Sequence, residues 1–257
     1  MSAAHGWDSA LALALRAADA GARLLKGRWG TRHEAVSVTA HDVKLRDDLD
    51  SEAEILAVLA ESPWPILAEE SGEHGAASDP ETPCWVVDPL DGTLNYSRHI
   101  PYCCVSVALS LGGAPVLGVV HDFVHGEVFS GVPGRGAWCN GAPVHVSGVD
   151  TPGRAVLGLG YPIGFDYDDA GILAVHRLGS GFRKTRQMGS AALLLAHVAC
   201  GRMDAYMEDD IYYWDIAAGA ALVTAAGGFV VMGPSREHPW ARRIRAGSSA
   251  AVWPGEG

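Results

Sequence analysis

The segment Cys84-Trp85-Val86-Val87-Asp88-Pro89-Leu90-Asp91-Gly92-Thr93 joins an apolar run to two carboxylates. Its first half predicts a buried strand. Pro89 then interrupts the strand ladder because proline has no backbone N–H to donate. The following glycine frees the backbone to turn. Asp88 and Asp91 are therefore expected at a strand end next to free amides, which is an arrangement suited to Mg²⁺ and phosphate.

Two further acidic segments follow apolar residues elsewhere in the chain. Glu69-Glu70-Ser71-Gly72-Glu73 comes after Ile66-Leu67-Ala68, and Asp215 comes just before a helical stretch predicted for 217–226. An aspartate at a helix start is often only an N-cap, and Asp91-Gly92 alone is an ordinary turn signal. Three such clusters together favour one shared metal site over three separate local roles.

Composition limits the classes of function. The 257 residues provide for one large or two fused domains, and 48% hydrophobic with 19% charged residues predicts a folded soluble protein. The net charge of −11 argues against a nucleic-acid-binding surface. Apolar residues at helical spacing between Leu11 and Leu25 predict an amphipathic helix instead of a signal peptide or membrane span. The five cysteines show no CxxC spacing and are expected to be reduced thiols in a cytoplasmic protein.

Periodicity and turn residues predict a mixture of helices and antiparallel strands. Cys103 and Cys104 are adjacent on a predicted strand and should face opposite sides of a sheet. Ser190 is expected to cap an apolar helix that ends at Gly201. The other predicted elements are helices over 8–27 and 49–61, strands over 65–69, 84–88, 103–111, 116–122, 155–160 and 205–208, and a basic loop over 183–186.

Three motifs, in this order along the chain, resemble the inositol monophosphatase family. They are Glu69–Glu73, Trp85–Tyr96, and Trp214–Gly219 with Gly227-Gly228, and the resemblance covers roughly residues 8–250. It implies an α/β fold, a layered α-β-α-β-α sandwich of the sugar phosphatase type. The whole chain, 1–257, would form a single catalytic domain of two fused α/β halves that meet near residue 150.

The resemblance also implies Mg²⁺-dependent hydrolysis of a phosphate monoester, with two to three ions bound and inhibition by Li⁺. Glu70 does not match a direct ligand and is expected to be an exposed turn acid. The positions that match the family's ligands are Glu69, Asp88 and the Leu90 carbonyl for one ion, Asp88, Asp91 and Asp215 for a second, and Glu69 for a weaker third.

The implied catalytic residues are Glu69, Thr93 and Asp48. The Thr93 hydroxyl would orient the attacking water, and Asp48 would accept the threonine proton. The segment before Asp48 departs from the family's usual Val-Val-Thr, so Asp47 competes for the same role. The amides of Gly92 and Thr93 would bind phosphate oxygens at a helix start.

On the substrate side, Gly189, Ser190, Ala191 and Glu208 match positions that contact sugar or cyclitol hydroxyls in the family. A carboxylate at Glu208 accepts hydrogen bonds from hydroxyl or ammonium groups and repels a second phosphate. Tyr212 and Tyr213 either wall the pocket or pack in the core.

These features favour inositol monophosphate or a similar polyol or sugar monophosphate as substrate. Arg183, Lys184 and Arg186 keep bisphosphates open, as in fructose-1,6-bisphosphatase or nucleotide bisphosphatase, although a structural role near a dimer interface is the alternative. Histidinol or aminocyclitol phosphatase activity also fits, and a regulatory binding partner is the alternative from another class. The expected partners are a small-molecule phosphate ester and a second copy in a homodimer, with no nucleic acid and no membrane.

Overall fold

The computed structural model describes residues 6–39, 43–75, 81–161, 165, 168–235 and 238–253. Within these ranges no helix combines the length and apolar character needed to cross a bilayer. The helices are α1 (Asp8–Arg28), α2 (Arg46–Leu59), α3 (Thr93–Ser97), α4 (Asp169–Gly179), α5 (Ala191–Ala199) and α6 (Tyr213–Ala225), with 3₁₀ turns at Pro152–Arg154 and Ala250–Val252.

The described strands form a small hairpin and two larger sheets. The hairpin pairs β1 (Ala35–Val38) with β2 (Val43–Leu45). The eight-stranded sheet has the order β10-β9-β8-β7-β6-β5-β3-β4, and the five-stranded sheet has the order β12-β11-β13-β15-β14. Their strands are β3 (Ile66–Ala68), β4 (Gly72–His74), β5 (Cys84–Asp91), β6 (Cys104–Leu111), β7 (Ala114–Asp122), β8 (Glu127–Val132), β9 (Gly136–Cys139), β10 (Ala142–Val144), β11 (Val156–Leu159), β12 (Lys184–Arg186), β13 (Ala205–Tyr212), β14 (Phe229–Pro234) and β15 (Ala241–Gly247).

Three buried clusters show how the layers stack. One cluster joins α1 and α2 to one face of the eight-stranded sheet. A second joins the opposite face of that sheet to α5 and α6 and, beyond them, to the five-stranded sheet. The third lies on the far face of the five-stranded sheet, where Val175 of α4 packs near Phe182 and Trp253. The order is helices, sheet, helices, sheet, helix, which confirms the predicted α-β-α-β-α sandwich.

Glycines let the middle helices approach their neighbours closely. A Cβ on Gly118 of β7 would lie 2.3 Å from the carbonyl oxygen of Ala218 in α6. A Cβ on Gly219 would lie 2.3 Å from the Cβ of Leu195 in α5. Both distances are far below van der Waals contact, so α6 is fixed against the sheet and against α5 at its middle.

Most predicted elements are confirmed, within a few residues at their ends. Cys103 and Cys104 contact different core clusters, as expected for opposite faces, and all five cysteines are free thiols. Asp215 lies in the first turn of α6 and is not its N-cap, since that helix already begins at Tyr213.

Two predictions about the second half were wrong. The basic segment 183–186 is not a loop, because residues 184–186 form the edge strand β12, which pairs in parallel with β11. The strand predicted over 205–208 continues through the acidic run to Tyr212, with a bulge between Glu208 and Ile211 in its pairing with β15. In both cases pairing with a distant strand outweighs the local polar sequence.

Candidate active site

The end of β5 presents the first two carboxylates. Asp88 is 1% exposed, and its Oδ1 accepts a hydrogen bond from the Leu90 amide at 2.9 Å. The pairing of β5 with β6 is irregular between Asp88 and Asp91, and it resumes where Asp91 pairs with Cys104. Gly92 then takes a left-handed conformation with φ of 93°. A Cβ there would lie 2.9 Å from the Tyr102 carbonyl oxygen, so this turn requires glycine.

Asp91 is held by the second half of the chain. Its Oδ2 accepts hydrogen bonds from the Ser190 hydroxyl and the Ala192 amide, each at 2.7 Å. Ser190 also caps α5, because its oxygen accepts from the Leu193 amide at 3.3 Å. Burial raises the pKa of Asp91 to about 6, although these hydrogen bonds act in the opposite direction. Ser190 therefore positions Asp91, while its predicted contact with substrate stays a prediction.

Two more acids, both half-buried, lie close to this pair. Glu69 follows β3, and Asp215 lies in the first turn of α6. Burial raises the pKa of Glu69, Asp88 and Asp215 well above the usual range. The negative charge of Asp88 raises the pKa of Glu69 further. The charges of Glu69 and Asp91 do the same for the pKa of Asp215. Crowded carboxylates of this kind suit a bound cation, because positive charge would relieve their mutual repulsion.

These carboxylate oxygens are therefore chemically suitable ligands for a hard cation such as Mg²⁺. No group of three or more His, Cys, Asp or Glu side chains among the described residues is already arranged to hold a metal ion. Hydrogen bonds occupy one oxygen of Asp88 and one of Asp91. The remaining carboxylate oxygens are the ones that would turn toward an ion.

The predicted catalytic pair is in hydrogen-bond contact. The Thr93 hydroxyl lies 2.8 Å from Oδ1 of Asp48 and 3.0 Å from the Leu90 carbonyl oxygen, and its single proton serves one of them at a time. The Leu45 amide donates to the other Asp48 oxygen at 2.8 Å. Burial is the largest influence on Asp48 and raises its pKa to about 7.

The neighbouring Asp47 points elsewhere. Its carboxylate contacts Arg28 and Nδ1 of His33, each at 3.1 Å. Arg28 also donates to Asp50 at 2.7 Å. Asp47 is therefore occupied in a contact between the end of α1 and the start of α2, and the geometry favours Asp48 as the partner of Thr93.

Glu70 does not match its predicted exposure. Its side chain is only 2% exposed and forms an ion pair with Lys44 of β2. The Glu70 amide donates to Glu52 at 2.9 Å, and Glu52 also accepts a hydrogen bond from Ser71. Because Glu52 is itself buried in α2, this helix holds the loop that presents Glu69. The prediction that Glu70 is an exposed turn acid was wrong, because Lys44 of β2, which is distant in sequence, pairs with it.

Asn95 is a structural residue of the site that the sequence motifs alone did not single out. Its side-chain amide donates to the Tyr102 carbonyl at 2.8 Å and to the Met188 carbonyl at 2.7 Å. It therefore ties α3 to the segment that leads into Gly189 and Ser190. Its position within the Trp85–Tyr96 motif was the available signal.

Glu208, the residue predicted to influence specificity, has its carboxylate held against Tyr206 and Gly160. The Tyr206 hydroxyl donates to its Oε2 at 2.5 Å, and burial raises its pKa to about 8. A Cβ on Gly160 would lie 1.9 Å from the same Oε2. The missing side chain at Gly160 therefore provides the space that the Glu208 carboxylate occupies.

The two tyrosines before Trp214 differ in environment. Tyr213 is buried, and its hydroxyl contacts the Ser110 hydroxyl at 2.9 Å and the Gly113 carbonyl at 3.0 Å. Tyr212 is half-buried and stacks on Trp214, with ring centroids 4.7 Å apart. Core packing is therefore the role of Tyr213.

The basic segment borders a cavity beside Glu208. Arg183 and Lys184 line a space of about 550 Å³, together with Leu159 and Tyr161, which flank Gly160. Arg186 is exposed but does not line the described cavity. The cavity therefore lies next to Gly160, whose missing side chain leaves room for the Glu208 carboxylate.

The layered sandwich thus brings four carboxylates and a hydroxyl–carboxylate pair together at a strand end. The sequence profile described as "Inositol monophosphatase family" matches residues 7–251. The chain belongs to the inositol monophosphatase family.

Individual relatives and one solved structure agree with this assignment. The inositol monophosphatase of Dictyostelium discoideum is 37% identical over 171 residues, 65% of this chain and 62% of that protein, so the match spans less than two thirds of its length. The Nus factor SuhB of Escherichia coli (strain K12) is 36% identical over 227 residues, 86% of this chain and 84% of that protein. The solved inositol monophosphatase from Anabaena (Nostoc) sp. PCC 7120 superposes with a TM-score of 0.80 at 36% identity, covering 94% of this chain and 91% of that one.

Proposed function

We propose that this protein hydrolyses inositol monophosphate, or a similar polyol or sugar monophosphate, by in-line attack of a water molecule in the presence of Mg²⁺. The observation that carries the proposal is the Thr93–Asp48 hydrogen bond of 2.8 Å next to four crowded carboxylates. Asp88 and Asp91 come from the first half of the chain, and Ser190 and Asp215 come from the second. The site therefore supports one catalytic domain spanning both halves.

The proposed ligands for two to three Mg²⁺ ions are Glu69, Asp88, the Leu90 carbonyl, Asp91 and Asp215. When bound, the ions would neutralise phosphoryl oxygens and make water a better nucleophile. The Thr93 hydroxyl donates to Asp48, which leaves its lone pairs to accept a hydrogen bond from the attacking water. Asp48 then takes up the proton, and the amides of Gly92 and Thr93 hold the phosphate.

The leaving-group side of the proposal rests on Glu208. Its carboxylate can accept hydrogen bonds from hydroxyls of a polyol, or from the ammonium of histidinol or an aminocyclitol. We propose that Gly189, Ser190 and Ala191 border the same side. Bisphosphate hydrolysis is the second candidate, because Arg183 and Lys184 line the cavity next to Gly160.

The test is phosphate release from inositol 1-phosphate, a sugar monophosphate, histidinol phosphate and fructose 1,6-bisphosphate, each with Mg²⁺ and with excess EDTA. Release from the monophosphates that stops in EDTA supports the proposal. No release from any of the compounds would overturn it and favour a regulatory role, a class suggested by the name of the relative called Nus factor SuhB. A homodimer and a cytoplasmic location stay predictions.

A further inference from the structure

A cationic cavity lies at the end of α3 that is remote from Thr93. Its volume is about 530 Å³, which is within the range of small-molecule sites. The loop after α1, the β1–β2 hairpin and the turn after α3 form its walls. Four of its lining residues are basic: Arg32, His33, Arg98 and His99. The lining includes none of the proposed metal ligands and neither member of the catalytic pair.

One buried atom at this cavity lacks a partner. His33 has a side chain only 4% exposed, and its Nδ1 contacts Asp47 at 3.1 Å. The ring packs on Tyr96 with centroids 4.4 Å apart. Its Nε2 is buried and has no hydrogen-bond partner among the described residues. A protonated imidazole donates from both nitrogens, so an anion at Nε2 would complete its hydrogen bonding.

The surrounding charges also favour an anion. Arg32 and Arg98 are exposed, and neither has an ion-pair partner within the described part of the chain. The His99 ring lies 5.5 Å from that of His33. The nearby acids are Asp47 and Asp50, which share an ion pair with Arg28, and the exposed Glu34. In a chain of net charge −11, this is a local concentration of positive charge.

We propose that this cavity is a second anion site that binds a phosphoryl group, either as free phosphate or as part of a small phosphorylated metabolite. Arg32 and Arg98 would grip the phosphoryl oxygens, since guanidinium groups match phosphate geometry, and His33 would donate from the base of the cavity. The site goes beyond the proposed hydrolysis and needs no Mg²⁺. His33 also connects it to α2, where Asp47 precedes Asp48.

The test is calorimetric titration of the full chain in EDTA with inorganic phosphate and, separately, with glycerol 2-phosphate. Without Mg²⁺ the crowded carboxylates repel anions and no turnover occurs, so the outcome is independent of the proposed hydrolysis. Similar affinity for both probes identifies free phosphate as sufficient, and tighter binding of the ester identifies a metabolite.

The Arg32→Gln/Arg98→Gln double variant should raise the Kd about tenfold or more. The matched Arg154→Gln/Arg177→Gln variant, which removes two exposed charges from residues that line neither cavity, should bind as the wild type does. The single variants Arg32→Gln and Arg98→Gln, each checked by circular dichroism, carry the test if the double variant unfolds. A wild-type Kd above about 10 mM overturns the proposal. So does unchanged binding in the Arg32→Gln/Arg98→Gln variant, or an equal loss of binding in the matched control variant.

Discussion

Thr93 and Asp48 face each other across 2.8 Å, although they are 45 residues apart in the chain. The two oxygens of Asp48 have separate tasks, because one accepts from the Leu45 amide and the other from the Thr93 hydroxyl. The carboxylate cannot rotate without breaking both bonds. Because both of its oxygens are held, the Asp48 carboxylate is positioned to accept a proton from the Thr93 hydroxyl.

Thr93→Ala should lower kcat far more than it changes KM. Loss of a positioned group in general acid–base catalysis costs about 10²–10⁴-fold. Thr93→Ser keeps the hydroxyl and is the matched control, with activity expected near that of the wild type. Steady-state phosphate release measures both. A change confined to KM would mean that Thr93 only binds phosphate.

Asp48→Asn and Asp47→Asn should separate catalysis from stability. Asp48→Asn should reduce kcat as strongly as Thr93→Ala, and the double variant should be little worse because both residues act in one step. Asp47→Asn should keep kcat within a few-fold but destabilise the fold by about 1–2 kcal/mol, since it weakens the contacts with Arg28 and His33. Denaturant unfolding and kinetics on the same samples decide between them. The reverse pattern would make Asp47 the catalytic acid.

Asp215→Asn should have opposite effects on activity and on metal-free stability. Removal of the Asp215 charge relieves the repulsion among the neighbouring carboxylates, so the Tm in EDTA should equal or exceed that of the wild type. In Mg²⁺ the variant should lose turnover by at least about a hundredfold and gain less Tm from the ion. Asp209→Asn, outside the cluster and paired with Arg245, is the control.

Li⁺ should inhibit the wild type if it competes for the proposed metal site. Full turnover in excess EDTA, or near-normal rates in Asp215→Asn, would place the chemistry elsewhere in the molecule.

The metal-free protein should become less stable as pH rises, partly because of Glu208. Burial raises its pKa from 4.5 to about 8, so between these values the folded state holds a proton that the unfolded chain has lost. The stability that this proton provides is present below pH 4.5 and is lost as pH passes about 8. In EDTA, the Tm advantage of Glu208→Gln over wild type should therefore grow from pH 5 to 9. Glu61→Gln, whose carboxylate pKa is lowered by Arg16, should show no such growth above pH 6, and parallel curves for both variants would contradict the assignment.

Glu208 and Gly160 should together influence substrate choice. Above pH about 8, where the Glu208 carboxyl is ionised, two like charges about 6 Å apart repel by about 3 kcal/mol at an effective dielectric near 20, so Glu208 then disfavours a second phosphate. Glu208→Gln should raise kcat/KM for fructose 1,6-bisphosphate relative to inositol 1-phosphate. Gly160→Ala should fold, because a flexible carboxylate can move away from the new methyl, but it should shift the same ratio. A wild type that prefers the bisphosphate, unchanged by Glu208→Gln, would assign specificity to Arg183 and Lys184.

The sequence predicts this fold where local pattern and tertiary contact agree. In α1 and β5 the local apolar pattern and the tertiary packing favour the same structure. The strand at 184–186 could not be predicted, because its residues are polar and exposed and only pairing with β11 orders them.

In the candidate site, too, some features follow from the local sequence and others depend on tertiary contacts. Asp88 and Asp91 are close in sequence and lie on one strand end, so the motif alone brings them together. The burial of Glu70 depends on Lys44, and the division of roles between Asp47 and Asp48 depends on Arg28, His33 and Thr93. Such contacts join distant segments, and no local spacing encodes them.

The middle helices α5 and α6 cover both sheets at once. The change of sheet near residue 150 is therefore no place at which the polypeptide can be divided. A fragment ending there would expose the apolar face that these helices cover, and it should self-associate. A fragment beginning there would lack Asp88 and Asp91. Fragment complementation would have to rebuild the shared helical layer before either piece could contribute to a working site.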